Sequence, residues 1–286
     1  MVTFLCATLA MYFQPRAYRH PVTTWVPPYA VERSKTQLNI AGVKDALTHL
    51  DLQFWEPTTA GGVRLVSEPE VSEAAVVDLR DWAHSKGIRL MLCIFNGERK
   101  WDWPLAKSAF AENADAFVKN LLAEVVRLKL DGVDIDLEGP ADYEADKPAY
   151  MAFMGTLSKA LRALHLQLTV DSFCYIWNAP NQGWWNSLFP LVDGVNVMGY
   201  EDTGYSATEW HSYSSQKGAA GKNASKLSLG MLSDRAKWQG SAAQDQVDWV
   251  KNDGSMGVAI WDAQLRASGW QTTGLWQSLA AISKRK

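Results

Sequence analysis

At 286 residues, 47% of them hydrophobic, the chain is long enough to bury one large core, and an α/β barrel of typical size needs about 250 residues. Lys and Arg total 28 against 31 Asp and Glu, and Lys284-Arg285-Lys286 is the one basic block, so nothing marks a nucleic-acid partner. No apolar run is long enough to span a bilayer as a helix. Short runs rich in Val, Ile, Leu and Phe alternate with longer segments of helical period, the pattern of a parallel sheet wrapped by helices. In chain order the predicted strands are Thr3–Phe13, Thr48–Trp55, Arg89–Asn96, Gly132–Glu138, Gln167–Phe173, Gly194–Tyr200, Lys226–Leu232 and Gly257–Trp261. Before the fourth strand, Ala114, Phe117, Val118, Leu121, Leu122, Val125 and Leu128 share one helical face, with Asp115, Lys119, Glu124 and Arg127 turned away. Tyr150–Leu164, Ala243–Lys251 and Thr273–Ile282 read as further helices, whereas Thr203–Asn223, rich in Gly, Ser and Tyr, reads mostly as loop. Eight such units predict a single (β/α)8 TIM barrel spanning 1–286.

Val2–Phe13 is apolar enough to imitate the core of a signal peptide, yet it lacks a basic leader, and the barrel needs it as strand one. Cys6, Cys93 and Cys174 lie in apolar runs at no metal-like spacing and are expected to be buried free thiols. Fourteen tryptophans are unusual for this length. A flat apolar face with one donor suits a sugar ring or an aromatic ligand, but it suits core packing equally well.

The chemistry concentrates in Asp131-Gly132-Val133-Asp134-Ile135-Asp136-Leu137-Glu138. Residues two apart on a strand point the same way, roughly 7 Å from one to the next, so Asp134, Asp136 and Glu138 form one acidic row. Val133, Ile135 and Leu137 take the other face, under the helices, which sends the carboxylates into the barrel interior. Branched aliphatic residues normally fill that interior, and an unpaired buried carboxylate costs several kcal/mol. Glu138 ends its strand, at the face where barrel active sites sit. Asp131, of opposite parity, opens a turn and reads as structural. A calcium loop is the competing reading, with acids at the first, third and fifth positions and Gly139 at the sixth; Ala145 at the twelfth, where a bidentate Glu is required, argues against it. A two-metal hydrolase is disfavoured because no histidine lies near the row. No metal and no cofactor is expected.

Asp131 to Glu138 resembles the D-G-x-D-x-D-x-E signature of glycoside hydrolase family 18, the chitinases and endo-β-N-acetylglucosaminidases. The likeness continues in Leu47-Thr48-His49 to Phe54 on strand two, Met198-Gly199-Tyr200 on strand six and Trp261 at the end of strand eight, with Tyr12 as the strand-one aromatic. The resemblance implies a substrate-assisted retaining glycosidase, an exception to the two-carboxylate scheme. Glu138 would be the general acid and base, Asp136 would hold the acetamido N–H, Asp134 would share its proton, and Tyr200 would orient the acetamido oxygen. Trp261 would floor the sugar at the cleavage point, with Tyr12, Phe54 and Met198 beside it. Glu201 and Asp202 stand where the family usually has one Asp after the strand-six Tyr, so which acid reaches the sugar stays open. Strand three, usually ending S-x-G-G, reads Cys93-Ile94-Phe95-Asn96-Gly97, a change beside the acidic row. Only about 25 residues separate strands seven and eight, too few for the α+β insertion domain of many chitinases, which implies an open groove.

Loop aromatics Trp101 and Trp103, Trp177, Trp184 and Trp185, and Trp210 are candidates for flanking subsites; Trp184 and Trp185 could equally pin a short helix to the barrel. The implied partner is a glycan containing N-acetylglucosamine, with chitin, the chitobiose core of N-glycans and cell-wall glycan all open. The expected protein is a secreted monomer. A glycan-binding lectin on a dead barrel is the reading from another class; such relatives usually lose the terminal acid, and Glu138 is present.

Overall fold

The computed structural model describes residues 15–97, 100–140, 143–174, 180–198, 210–234 and 241–284. Eight parallel strands close into a barrel: β1 (Val22–Val26), β2 (His49–Pro57), β4 (Arg89–Phe95), β5 (Gly132–Asp136), β6 (Gln167–Ser172), β7 (Gly194–Val197), β8 (Leu227–Leu232) and β9 (Gly257–Trp261). Each pairs in parallel with its neighbours, and β1 closes the ring by pairing with both β2 and β9. β3 (Val63–Leu65) is an antiparallel addition to the end of β2. Helices follow each strand on the outside, as a right-handed βα repeat demands.

Seven of the eight strands overlap the predicted runs, and the first is a correction. Strand one is Val22–Val26 rather than Thr3–Phe13, which lies outside the described residues along with Tyr12. The physical reason lies in the ladder. Thr23 aligns with His49 on one side and Ala259 on the other, so this β-branched segment completes the ring, and Pro27-Pro28 then stops it.

The helix before β5 spans Ala114–Leu128 and buries Phe117, Val118, Leu121, Val125 and Leu128, the face given by its 3.6-residue period. The next helix, Tyr143–Ala163, starts before the predicted Tyr150; Pro148 inside it is the kind of residue that a sequence reading takes as a boundary. In the segment read mostly as loop, the structure has the helix Trp210–Ala220, whose weak amphipathic pattern explains why periodicity missed it. Between β8 and β9 the described chain adds one helix, Ser241–Asp253, and no further sheet. Among the described residues no helix is long and apolar enough to cross a membrane.

Two packing environments result. Val133, Ile135 and Leu137 join Leu50, Leu52, Leu90, Leu92, Leu168 and Val170 in the main apolar core under the helices. Inside the barrel, Trp25, Cys93 and Ala259 form a small separate apolar cluster, against which Trp261 packs. Gly132 is required where β5 meets β6, because a Cβ there would stand 2.2 Å from the Gln167 carbonyl oxygen.

Candidate active site

The acidic row lies inside the barrel, where partners arrive from four other strands. Asp134, from the middle of β5, accepts the Trp25 indole N–H on Oδ2 at 3.0 Å. Its Oδ1 accepts the Thr169 hydroxyl and, at 3.3 Å, the Asn196 amide. Asp136, one step nearer the mouth, accepts the Gln53 amide at 2.8 Å. Glu138 follows beyond the end of β5, still only 7% exposed. Its main chain is held at both ends by one side chain, for Asn96 Nδ2 donates to the Glu138 carbonyl at 2.6 Å and Asn96 Oδ1 accepts the Glu138 N–H at 2.8 Å. Asp131 accepts the Leu90 N–H at 2.7 Å and pairs with His84 at 2.8 Å, tying the start of β5 to β4 and the helix Glu73–Ser85.

Two further buried carboxyls of the barrel strands that feel the charge on Asp134 were not singled out from the sequence. Asp171 on β6 shares the Asn196 amide with Asp134, at 3.0 Å, and Asp51 on β2 has one oxygen, Oδ1, with no hydrogen-bond partner among the described residues. Both alternate with apolar neighbours, Asp51 with Leu50 and Leu52, Asp171 with Val170, so strand parity was the signal that pointed inward. The same parity picks out Gln53, Thr169 and Asn196.

Burial without a countercharge sets the electrostatics. It pushes Asp136 up to about 7, aided by the Asp134 charge and opposed by hydrogen bonding from Glu138 and Gln53. Asp134 is raised by burial too, against the hydrogen bonds of Thr169 and Trp25. Asp51 and Asp171 are raised well above the usual carboxylate range, first by burial and then by the charge on Asp134. Such a row holds protons near neutral pH instead of carrying four charges. Possible ligand atoms of Cys93, Asp134 and Asp171 lie within 4.8 Å of one another. Both Asp134 oxygens already accept protein hydrogen bonds, so a cation there would have to displace Trp25, Thr169 or Asn196.

The remaining candidates divide. Trp261 ends β9, half-buried at the mouth with its ring 6.1 Å from that of Trp25. Met198, just past β7, is buried and hydrogen-bonds through its N–H to Ser172 at 2.7 Å. Phe54 sits at a bulge in β2 between Gln53 and Trp55 and is fully buried in the main core. Trp101 is 39% exposed, its ring edge-on to Phe95 at 6.3 Å. Trp103 is a correction to the expected subsite aromatics, being buried in the core, while Trp184 and Trp185, buried at the start of the short helix Trp185–Leu188, take the second of the two roles left open for them. Trp103 donates to Asp146 at 2.8 Å and Trp185 to Ser172 at 2.7 Å, so each indole N–H is already used inside the protein. Tyr200, Glu201, Asp202 and Trp177 lie outside the described residues, as does the side chain of Trp210. Position for position, the strand-one aromatic in the barrel is Trp25.

The family model of glycosyl hydrolases family 18 matches residues 25–260. Among solved structures, the chain is similar to a chitinase from Chromobacterium violaceum, with a TM-score of 0.72 and 15% identity over 93% of this chain and 100% of that one. It is similar to the spore cortex-lytic enzyme SleL of Bacillus cereus, with a TM-score of 0.73 and 14% identity over 94% of this chain and 75% of that one. A third likeness is to the chitinase ChiB from the chitin utilization locus of Flavobacterium johnsoniae, with a TM-score of 0.70 and 18% identity over 93% of this chain and 94% of that one. At such identities these likenesses speak for the fold. No curated protein sequence gives a significant match.

Proposed function

The chain belongs to family 18 of the glycosyl hydrolases, and from that premise we propose that it cleaves β-1,4 linkages in glycans of N-acetylglucosamine by a substrate-assisted, retaining mechanism. The observation that carries this reading is the position of Asp136, buried between Asp134 and Glu138 with its orientation set by Gln53. Glu138 protonates the glycosidic oxygen as the bond from that oxygen to the anomeric carbon breaks. The 2-acetamido carbonyl oxygen of the same sugar attacks the anomeric carbon and forms an oxazolinium ion. Water then opens that ion, giving its proton to Glu138 and restoring the acid. Asp136 accepts the acetamido N–H and balances the positive charge, and Tyr200 donates its hydroxyl to the acetamido oxygen. Asp134, held by Trp25, Thr169 and Asn196, shares a proton with Asp136. Trp261 supplies the apolar floor at the cleavage point, in van der Waals reach of Trp25.

Chitin is the substrate this reading favours, because the described part of the β8–β9 connection adds one helix and no further sheet, and Trp101, on the loop after β4, stands exposed. The test is product analysis after incubation with chitin oligomers, a high-mannose glycopeptide and peptidoglycan side by side. Release of N,N′-diacetylchitobiose from the oligomers with the other two intact supports chitin. Cleavage of the glycopeptide or the peptidoglycan alone reassigns the substrate within the same chemistry, and binding without cleavage of any supports the lectin. Partly deacetylated chitosan tests the nucleophile: the new reducing ends must all carry N-acetylglucosamine, and free glucosamine there excludes substrate assistance.

A further inference from the structure

Glu138 stands two residues beyond the last ladder residue of β5. Asn96 is the first residue beyond β4 and is only 2% exposed. A carboxamide has the same donor and acceptor pair as a peptide group. Here it offers both to one residue, donating to the Glu138 carbonyl at 2.6 Å and accepting the Glu138 N–H at 2.8 Å, and so replaces the rung that the backbone ladder no longer supplies.

The same residue holds a second partner. The Asn96 carbonyl accepts the Asp102 N–H at 3.0 Å, and the Asp102 carboxylate in turn caps the helix Trp103–Lys107 through the Leu105 N–H at 3.1 Å. The segment between them carries Trp101. Trp101 and Trp103 approach the glycines Gly97 and Gly139 closely, because a Cβ at Gly97 would meet the Trp101 ring at 2.7 Å, and Gly139, at φ +130°, lies against the main chain of Trp101 and Trp103. One buried residue thus joins the two, its side chain holding the residue read as the acid and its main chain the loop that bears the exposed aromatic.

We propose that Asn96 is a positioning residue for catalysis, which aims Glu138 by clamping its main chain and ties that aim to the loop carrying Trp101. This inference rests on the reading of Glu138 as the general acid. A shift of about 1 Å in an acid relative to its leaving group costs on the order of a hundredfold in rate, while the binding surface stays in place. Removing the clamp must therefore act on kcat.

The test compares Asn96→Ala, Asn96→Asp and Trp101→Ala, each with its Tm, on a short aryl chitobioside and on a chitin hexamer. Asn96→Ala is expected to lower kcat by about 10- to 100-fold on both substrates with KM changed less than about threefold. Trp101→Ala is expected to raise KM on the hexamer and leave kcat on the aryl substrate near wild type. Asn96→Asp keeps the acceptor for the Glu138 N–H but sets a carboxylate against the Glu138 carbonyl. It should lose kcat less than Ala does and move the alkaline limb of kcat/KM upward, because added negative charge nearby favours the protonated acid. The inference is overturned by a folded Asn96→Ala variant whose kcat is within about threefold of wild type, by a loss confined to KM, or by an Asn96→Asp pH profile that superposes on wild type. It is overturned equally if neither Asn96 variant folds, since Asn96 then serves stability alone. Glu138→Gln is the control: if it is inactive while Asn96→Ala is normal, only the clamp fails, and if it is fully active, the acid assignment fails first.

Discussion

The two faces of β5 are built on opposite rules. Outward, Val133, Ile135 and Leu137 merge into a continuous apolar shell. Inward, Asp134, Asp136 and the adjoining Glu138 are each held by named groups, from β1, β2, β6 and β7 and from Asn96 just beyond β4. The outer face stabilises the fold by area and volume, which many aliphatic side chains supply. The inner face gives up stability to bury carboxyls, and it does so where polar donors converge. Stability and chemistry are therefore assigned to alternate residues of one strand, and substitutions should separate them.

Glu138→Gln should break the inner face most severely. It keeps shape and volume, removes the transferable proton, and is expected to slow turnover on an unactivated glycan by roughly two to four orders of magnitude with Tm unchanged. Near-normal turnover would remove Glu138 from the role of acid. Ile135→Ala makes the matching cut in the outer face, with an expected loss of about 2–5 kcal/mol of unfolding free energy from denaturant titration and a kcat per folded molecule close to wild type. A large fall in that kcat would show that the two faces are not separable. Among the aromatics, Trp101→Ala should weaken hexamer binding by roughly 1–3 kcal/mol and leave Tm nearly unchanged, whereas Trp184→Ala should do the reverse. Calorimetric titration and melting on both variants decide it.

The smallest effect sharpens the comparison through pH. Asp51, Asp134, Asp136 and Asp171 are all raised by folding, so the stability they contribute is complete below their unfolded value of about 4 and is lost as pH rises through their folded values, that of Asp136 being about 7. His49 works the other way. Burial holds it neutral down to about 4, so its contribution is lost as pH falls from 6.5 towards that value. Above pH 6.5 the acids dominate, joined towards pH 9 by the raised Cys93 thiol in the same direction, and Tm should decline between pH 6.5 and 9. Asp171→Asn keeps the shape and cannot ionise, so its decline should be shallower, each proton taken up on folding being worth about 1.4 kcal/mol per pH unit. A wild-type Tm that is flat over this range would show that the inner row is ionised after all.

Much of this was legible beforehand, for reasons that individual residues make plain. The row Asp134, Asp136, Glu138 stood out because three acids alternating with Val133, Ile135 and Leu137 conflict with any ordinary barrel strand. The helix Ala114–Leu128 was visible because its whole apolar stripe is local. Strand one was not, since Val2–Phe13 is longer and more apolar than Val22–Val26, and only ring closure with β2 and β9 distinguishes the latter. Asn96 was noticed as a departure in strand three, but its reach to Glu138, 42 positions along the chain, has no local sign. The tryptophans marked a resource without a location: one residue type serves as an exposed face at Trp101, a core anchor at Trp185 and a donor to a carboxylate at Trp25.

Cys93 has a use that follows from its surroundings. Burial and the charges of Asp134, Asp136, Asp171 and Asp51 push its thiol well above the ordinary value, so inside the closed barrel the reactive thiolate is suppressed. Alkylating reagents attack that thiolate and must reach it through the strands that enclose it. The rate at which Cys93 is labelled, in a chain with Cys6 and Cys174 replaced by Ser, therefore counts openings of the barrel itself. Followed with and without a bound oligosaccharide, that rate reads how tightly a glycan at the mouth holds the eight-stranded ring together.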